Sequence, residues 1–251
     1  MVIVRKSERE IEIMRKAGRI VADALAMAKE IASEGVSTED LNTKLEEYVL
    51  QKGGIPVFKG YRGYPKSICA SINEEIVHGI PDQRKLCNGD ILSVDIGVEF
   101  NKYVADAAIT IPIGEISEVA ATLLQVCEES LNKAIAKACA NNKLSEVSRS
   151  IQEYVEGNGL SVIRDYTGHG IGRQMHEDPQ IPNFVSKELL KADEILLQGM
   201  ALAIEPMICV GKYDTEVLEN KWTVVTKDRK LSAHFEHTIV VTENGAEILT
   251  I

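Results

Sequence analysis

A chain of 251 residues with 45% hydrophobic and 26% charged side chains can bury a sizeable core and is too apolar for a disordered polypeptide. Its formal net charge of −10 excludes a general nucleic-acid binder, which needs basic surface to neutralise phosphates. The apolar stretch Ile20–Ala28 is short and interrupted by Asp23, so no membrane span is expected.

In chain order, residues 7–33 carry apolar side chains at helical spacing (Ile11, Met14, Ala17, Val21, Leu25), and Ser7 with Glu10 forms a capping box. A second helix is predicted over 38–51, with Leu41, Leu45, Tyr48 and Val49 on one side. From 56 to 99 the pattern changes to short runs rich in Gly, Pro, Ile and Val, which read as strands and turns. DILSVDIGVEF (90–100) and YVADAAITIPIG (103–114) are predicted as two strands joined around Phe100–Lys102. Helices return at 115–140 and 145–158, and strands from 161 onward. The order helix–helix–strands occurs twice with no Pro-, Ser- or Gly-rich linker between, so residues 1–251 are expected to form one α+β domain with two pseudo-symmetric halves. The N-terminal MVIVRKSERE lacks a signal-type apolar run. Cys69, Cys87, Cys127, Cys139 and Cys209 are odd in number and without a C-x-x-C pair, so reduced thiols and a cytoplasmic location are expected.

Asp95 and Asp106 each sit inside an otherwise apolar strand, where a carboxylate is costly to bury unless paired or metal-bound. A turn centred on 100–101 would place them face to face, with β-carbons about 5 Å apart. A turn shifted by one residue pair leaves them diagonal on one face. Spacing alone also allows one Asp to cap a turn and the other to be exposed. In TGHGIGRQMHEDP (167–179), glycines around His169 forbid a regular helix and favour a strand or extended loop that carries His169 and His176. Glu205 lies in ALAIEPMI, and Glu236 opens a β-branched run in SAHFEHTIVV. Either could be an ordinary edge-strand acid, but four acids and a histidine in strand-like surroundings suggest a metal centre. Oxygen-rich ligation with one imidazole suits Mn²⁺, Fe²⁺ or Co²⁺. Shared carboxylates can hold two such ions roughly 3.5–4 Å apart around a water.

In this order and spacing, GYPKSICASINEEIVHGIP, SVDIGV, YVADAA, TGHGIGRQMHEDP, AIEPM and WTVVTKDRKLSAHFEHTIVVTENG resemble the type I methionine aminopeptidases, from about residue 5 to the C-terminus. The resemblance implies the pita-bread fold, an α+β domain with pseudo-two-fold halves around a central antiparallel sheet. It further implies removal of initiator methionine from nascent polypeptides by two divalent ions (Co, Mn or Fe). The insertion of the type II enzymes and an N-terminal zinc-finger extension are both missing, which points to the minimal bacterial form. The partner implied is the N-terminus of a nascent chain, with transient ribosome contact, no membrane or specific nucleic acid, and a monomeric state.

By the same resemblance, Asp95 would chelate one ion, His169 and Glu205 the other, and Asp106 and Glu236 both. Glu205 would also shuttle a proton. His78 would contact the scissile amide nitrogen and His176 the carbonyl or developing oxyanion. Tyr61, Tyr64, Cys69 and Trp222 would form the methionine cup. The chain departs from the commoner pattern at Phe58 (usually smaller), Met175 (usually Phe), Phe100-Asn101-Lys102 in the hairpin turn, and His234 (more often Gln). Three other readings compete: a proline-directed aminopeptidase of the same fold, a binding module without catalysis, and a thiol hydrolase using Cys69 and His78.

Overall fold

The computed structural model describes residues 3–251. Helices α1 (Glu8–Ile31) and α2 (Thr38–Gln51) lead into strands β1 (Ile55–Pro56), β2 (Cys69–Ile72), β3 (Glu75–Val77), β4 (Ile91–Phe100) and β5 (Tyr103–Pro112). Helices α3 (Glu118–Lys137) and α4 (Leu144–Gly157) then lead into β6 (Ser161–Val162), β7 (Thr167–Gly170) and β8 (Glu177–Pro182). A short helix α5 (Lys187–Lys191) precedes β9 (Ala201–Ile204), β10 (Met207–Cys209), β11 (Thr215–Val217), β12 (Val224–Thr226), β13 (Ser232–His234), β14 (Glu236–Thr242) and β15 (Gly245–Ile248).

The helical periodicity of the first fifty residues is realised almost as read. The Glu10 carboxylate accepts from both the amide and the hydroxyl of Ser7, closing the expected capping box on α1. The third helix is trimmed relative to 115–140, and the fourth starts and ends one residue before 145–158. Ser117 caps α3, its hydroxyl accepting from the amide of Ala120. Helix α5 corrects the expectation of strands alone beyond 161: Ser186 caps it, but its five residues are too short to show a period.

Among the described residues, nine strands form an antiparallel sheet in the order β1-β4-β5-β14-β9-β7-β8, with β2 on β4 and β15 on β14. Two apolar cores back it. One packs α1 and α2 beneath β4 and β5 through Val21, Leu25, Leu41, Leu45, Val94 and Ala107. The other packs α3 and α4 beneath β9 and β14 through Leu123, Leu131, Val147, Ile151, Leu202 and Ile239. The twofold repeat of helix pair and strands is thus a repeat of cores.

Strand alternation decides what the opposite face carries. Val94, Ile96, Ala105 and Ala107 belong to the α1–α2 core, so Asp95 and Asp106 point away from it. Leu202, Ile204, Ile239 and Val241 belong to the α3–α4 core, so Ala203, Glu236 and Thr238 share the face of the two aspartates. His169 pairs with Ala203 and joins them.

Candidate metal centre

The β4–β5 hairpin turns at Asn101-Lys102, both left-handed at φ 50° and 69°, the two-residue geometry that matches strand twist. This register pairs Asp95 with Ala108 and Gly97 with Asp106. The aspartates are therefore diagonal, the second of the two registers considered, and not face to face. Gly97 fills the position between them because a β-carbon there would lie 2.8 Å from the Phe58 ring.

On the other half, β9 ends at Ile204 and β10 begins at Met207, so Glu205 occupies the break between two strands and not a strand interior. Its carbonyl accepts from Asn183 Nδ2 at 2.9 Å. Glu236 opens β14 opposite Ala108. His169 Nδ1 lies 2.9 Å from the carbonyl of Gly170. Donating its proton there leaves the Nε2 lone pair facing Asp106 Oδ2 at 3.6 Å and Glu205 Oε1 at 3.5 Å. One ligating atom each from Asp106, His169 and Glu236 lies within 4.8 Å of the others.

All four acids resist ionisation. Burial, then the neighbouring carboxylates, drives Asp95, Glu205 and Glu236 well above their ordinary range. Burial lifts Asp106 to about 6, against the opposing pull of His176 and Thr238. Asp106 and Glu236 crowd one another, one ligating atom of each lying within 4.8 Å of the other. Asp95 Oδ1 is enclosed without a hydrogen-bond partner. Among the described residues no lysine or arginine reaches these acids; histidines alone stand within ion-pair distance of Asp106, Glu205 and Glu236. An orphaned carboxylate oxygen, crowded acids with no cationic side chain and a neutral imidazole with a free lone pair fit a site for hard divalent cations.

The acids floor a cavity of about 290 Å³. Phe58, Tyr64 and Cys69 form its apolar wall with the partly buried Met175 and Trp222, and Tyr64 meets Trp222 edge-on at 5.1 Å. His78 stands edge-on to Tyr166 and Trp222 and is kept neutral by burial, its pKa near 4. His176 lies at the exposed rim with its ring 4.3 Å from that of His169. The expected ligand, catalytic and cup residues all line this one cavity, as do Phe58 and Met175, whereas His234 and the 100–102 turn do not. Tyr61 is the partial exception in kind: it lies outside the apolar wall, and its hydroxyl meets His176 Nδ1 at 2.8 Å.

Sequence reasoning passed over Thr238 and Tyr166. The Thr238 hydroxyl accepts from the Asp106 amide at 3.0 Å and lies 3.1 Å from Asp106 Oδ1. Its place two residues after Glu236, on the same strand face, was the available signal. Tyr166 immediately precedes the glycine-histidine segment.

Residues 12–243 match the model of metallopeptidase family M24. The chain is 51% identical over 250 residues to a methionine aminopeptidase of Clostridium acetobutylicum, covering 99% of each chain. It is 48% identical over 248 residues to methionine aminopeptidase 1 of Bacillus subtilis, again covering 99% of each. The solved methionine aminopeptidase of Thermotoga maritima superimposes with a TM-score of 0.96 at 46% identity, covering 99% of both chains. A prolidase from Pyrococcus furiosus, at 23% identity and a TM-score of 0.80, shares the fold. The pita-bread architecture expected from the sequence is therefore present. With the match running almost end to end, the chain belongs to metallopeptidase family M24 and, within it, to the methionine aminopeptidases.

Proposed function

We propose that this protein removes the N-terminal methionine from polypeptides whose second residue is small, as a single catalytic domain acting on nascent chains in the cytoplasm. One observation supports this reading above the others. Four clustered carboxylates and a histidine floor a small cavity whose wall is aromatic and sulfur-bearing.

Asp95 would hold one divalent ion, His169 and Glu205 a second, and Asp106 and Glu236 both; Mn²⁺, Fe²⁺ and Co²⁺ suit this donor set. When bound, such ions polarise the substrate carbonyl and acidify water. The chain's own groups do the rest. Glu205, which holds a proton readily in this enclosed setting, carries it from the attacking water to the departing amine. His78 meets the scissile amide nitrogen, and His176 donates to the carbonyl oxygen as it gains charge. Phe58, Tyr64, Cys69, Met175 and Trp222 enclose the methionine side chain, whose sulfur is attracted to aromatic edges by about 0.3–1.5 kcal/mol.

The test uses anaerobically purified protein, its metal content measured, on a Met-Ala-Ser peptide. EDTA should abolish release of methionine, and Mn²⁺, Co²⁺ or Fe²⁺ should restore it. Full activity in metal-free protein would defeat the reading in favour of a thiol hydrolase, and preference for Xaa-Pro peptides would replace it with a proline-directed one.

A further inference from the structure

His234 is 2% exposed, and its Nε2 has no hydrogen-bond partner. Buried polar atoms are nearly always satisfied, and an orphan in a native interior needs a reason. The backbone at this position is held firmly. The His234 amide donates to Thr110 Oγ1 at 3.0 Å, and its carbonyl accepts from the same hydroxyl at 2.8 Å. The ring therefore cannot escape by a shift of the strand.

Its surroundings supply the reason. β9 passes into β10 through Glu205-Pro206, and β13 passes into β14 through Phe235, so the chain leaves the large sheet at the first junction and returns to it at the second. His234 ends β13 there, paired with Met207. Its Nε2 points between Glu205 Oε2 at 3.7 Å and Glu236 Oε2 at 3.9 Å. Glu205 is thus flanked by two imidazoles, with His169 at Oε1 and His234 at Oε2. The two rings differ in one respect: His169 lines the cavity and His234 does not. His234 approaches the glutamates without lining the cavity.

We propose that His234 is a positioning residue of the metal centre, an imidazole outside the cavity lining whose Nε2–H is donated to the Glu205 and Glu236 carboxylates. Both oxygens stand just outside hydrogen-bond reach, so a small turn of either carboxylate completes the bond. With that lone pair engaged, the remaining ones are directed into the cavity. Groups that orient ligands in this way change metal affinity by about 10- to 100-fold when removed. The inference rests on the metal-centre reading above, and the experiment separates the two.

Calorimetry of Mn²⁺ binding to the wild-type protein comes first: no binding would remove the metal centre and this proposal with it. His234→Leu keeps the volume without a donor, and His234→Gln keeps a neutral N–H donor. The Leu variant should bind Mn²⁺ about 10- to 100-fold more weakly, and the Gln variant should recover most of the loss. Equal affinity in wild type and Leu variant, or equal loss in both variants, overturns the proposal. Nitrogen-15 NMR of the wild-type imidazoles gives a second reading that needs no variant. His234 should be the Nε2–H tautomer, and that proton should persist and move downfield on adding diamagnetic Zn²⁺. An Nδ1–H tautomer, or loss of the Nε2 proton through direct ligation, also overturns it.

Discussion

The Tyr61 hydroxyl lies 2.8 Å from His176 Nδ1, and the two rings stack with centroids 5.4 Å apart. For His176 to donate from Nε2 to a carbonyl oxygen, Nδ1 must accept, and the tyrosine is the donor that fixes this tautomer. Tyr61→Phe should lower kcat by about 2- to 10-fold, the worth of one net hydrogen bond. Metal content and KM should stay near wild type. Steady-state kinetics on a Met-Ala-Ser peptide measures it, and an unchanged kcat would show that Tyr61 only shapes the rim.

The three cavity histidines should separate by role. His78→Ala and His176→Ala should keep their metal and lose about 10²–10³ in kcat, as for removal of a transition-state donor. His169→Ala should weaken metal binding itself, because its Nε2 faces two of the acids. Metal titration of the three variants decides; equal depletion in all of them would refute the assignment.

Metal-free protein should lose stability as pH rises above 6.5. Asp106, raised from 3.8 to about 6, has lost its contribution by then, so the fall rests on Asp95, Glu205 and Glu236, which lie well above their ordinary values. Acids raised in the folded state contribute stability at low pH that is lost as pH climbs through the folded values. Buried His169 and His237, lowered from 6.5 to about 4, act oppositely but only as pH falls below 6.5. Above that point the carboxylates set the slope, joined toward pH 8.5 in the same direction by the buried thiols of Cys69, Cys127 and Cys209. Thermal melts of EDTA-treated protein from pH 6.5 to 8.5 should fall, and Mn²⁺ should flatten or reverse the trend because ligation requires deprotonated acids. A rising melting temperature in metal-free protein would contradict this.

Phe58 should set the size limit of the substrate pocket. It lies against Gly97, between the two aspartates, and faces Met175 and Trp222. A single methylene is worth about 1–3 kcal/mol in such a pocket, so norleucine should be cleaved poorly but measurably. In a Met-X-Ser-Lys series read by mass spectrometry, Gly, Ala, Ser and Val should be accepted at X and Leu or Arg refused. Phe58→Ala should relax either the first or the second preference about tenfold or more. No change in either would place the limit elsewhere.

The boundaries of α1 and α2 were legible because both helices present a long apolar stripe with a capping residue at the start. The cluster of acids was legible because an acid in an apolar run conflicts with its surroundings. What escaped is set by contacts between distant segments. The hairpin turn settled one residue pair further on because Asn101 and Lys102 take the left-handed region. Tyr61 meets His176 across 115 residues and Thr238 meets Asp106 across 132. No local pattern records either encounter.

Strands β5 and β14 share only two residue pairs, Glu236 with Ala108 and His237 with Ala107, against ten in the β4–β5 hairpin. Each bank of this short seam has its own apolar core. Asp95 and Asp106 stand on one bank, and His169, Glu205 and Glu236 on the other. An ion gripped from both banks would act as a rivet through the sheet's narrow joint. Chemistry and mechanical coupling then share one address, and amide exchange on both banks would slow together when the rivet is set.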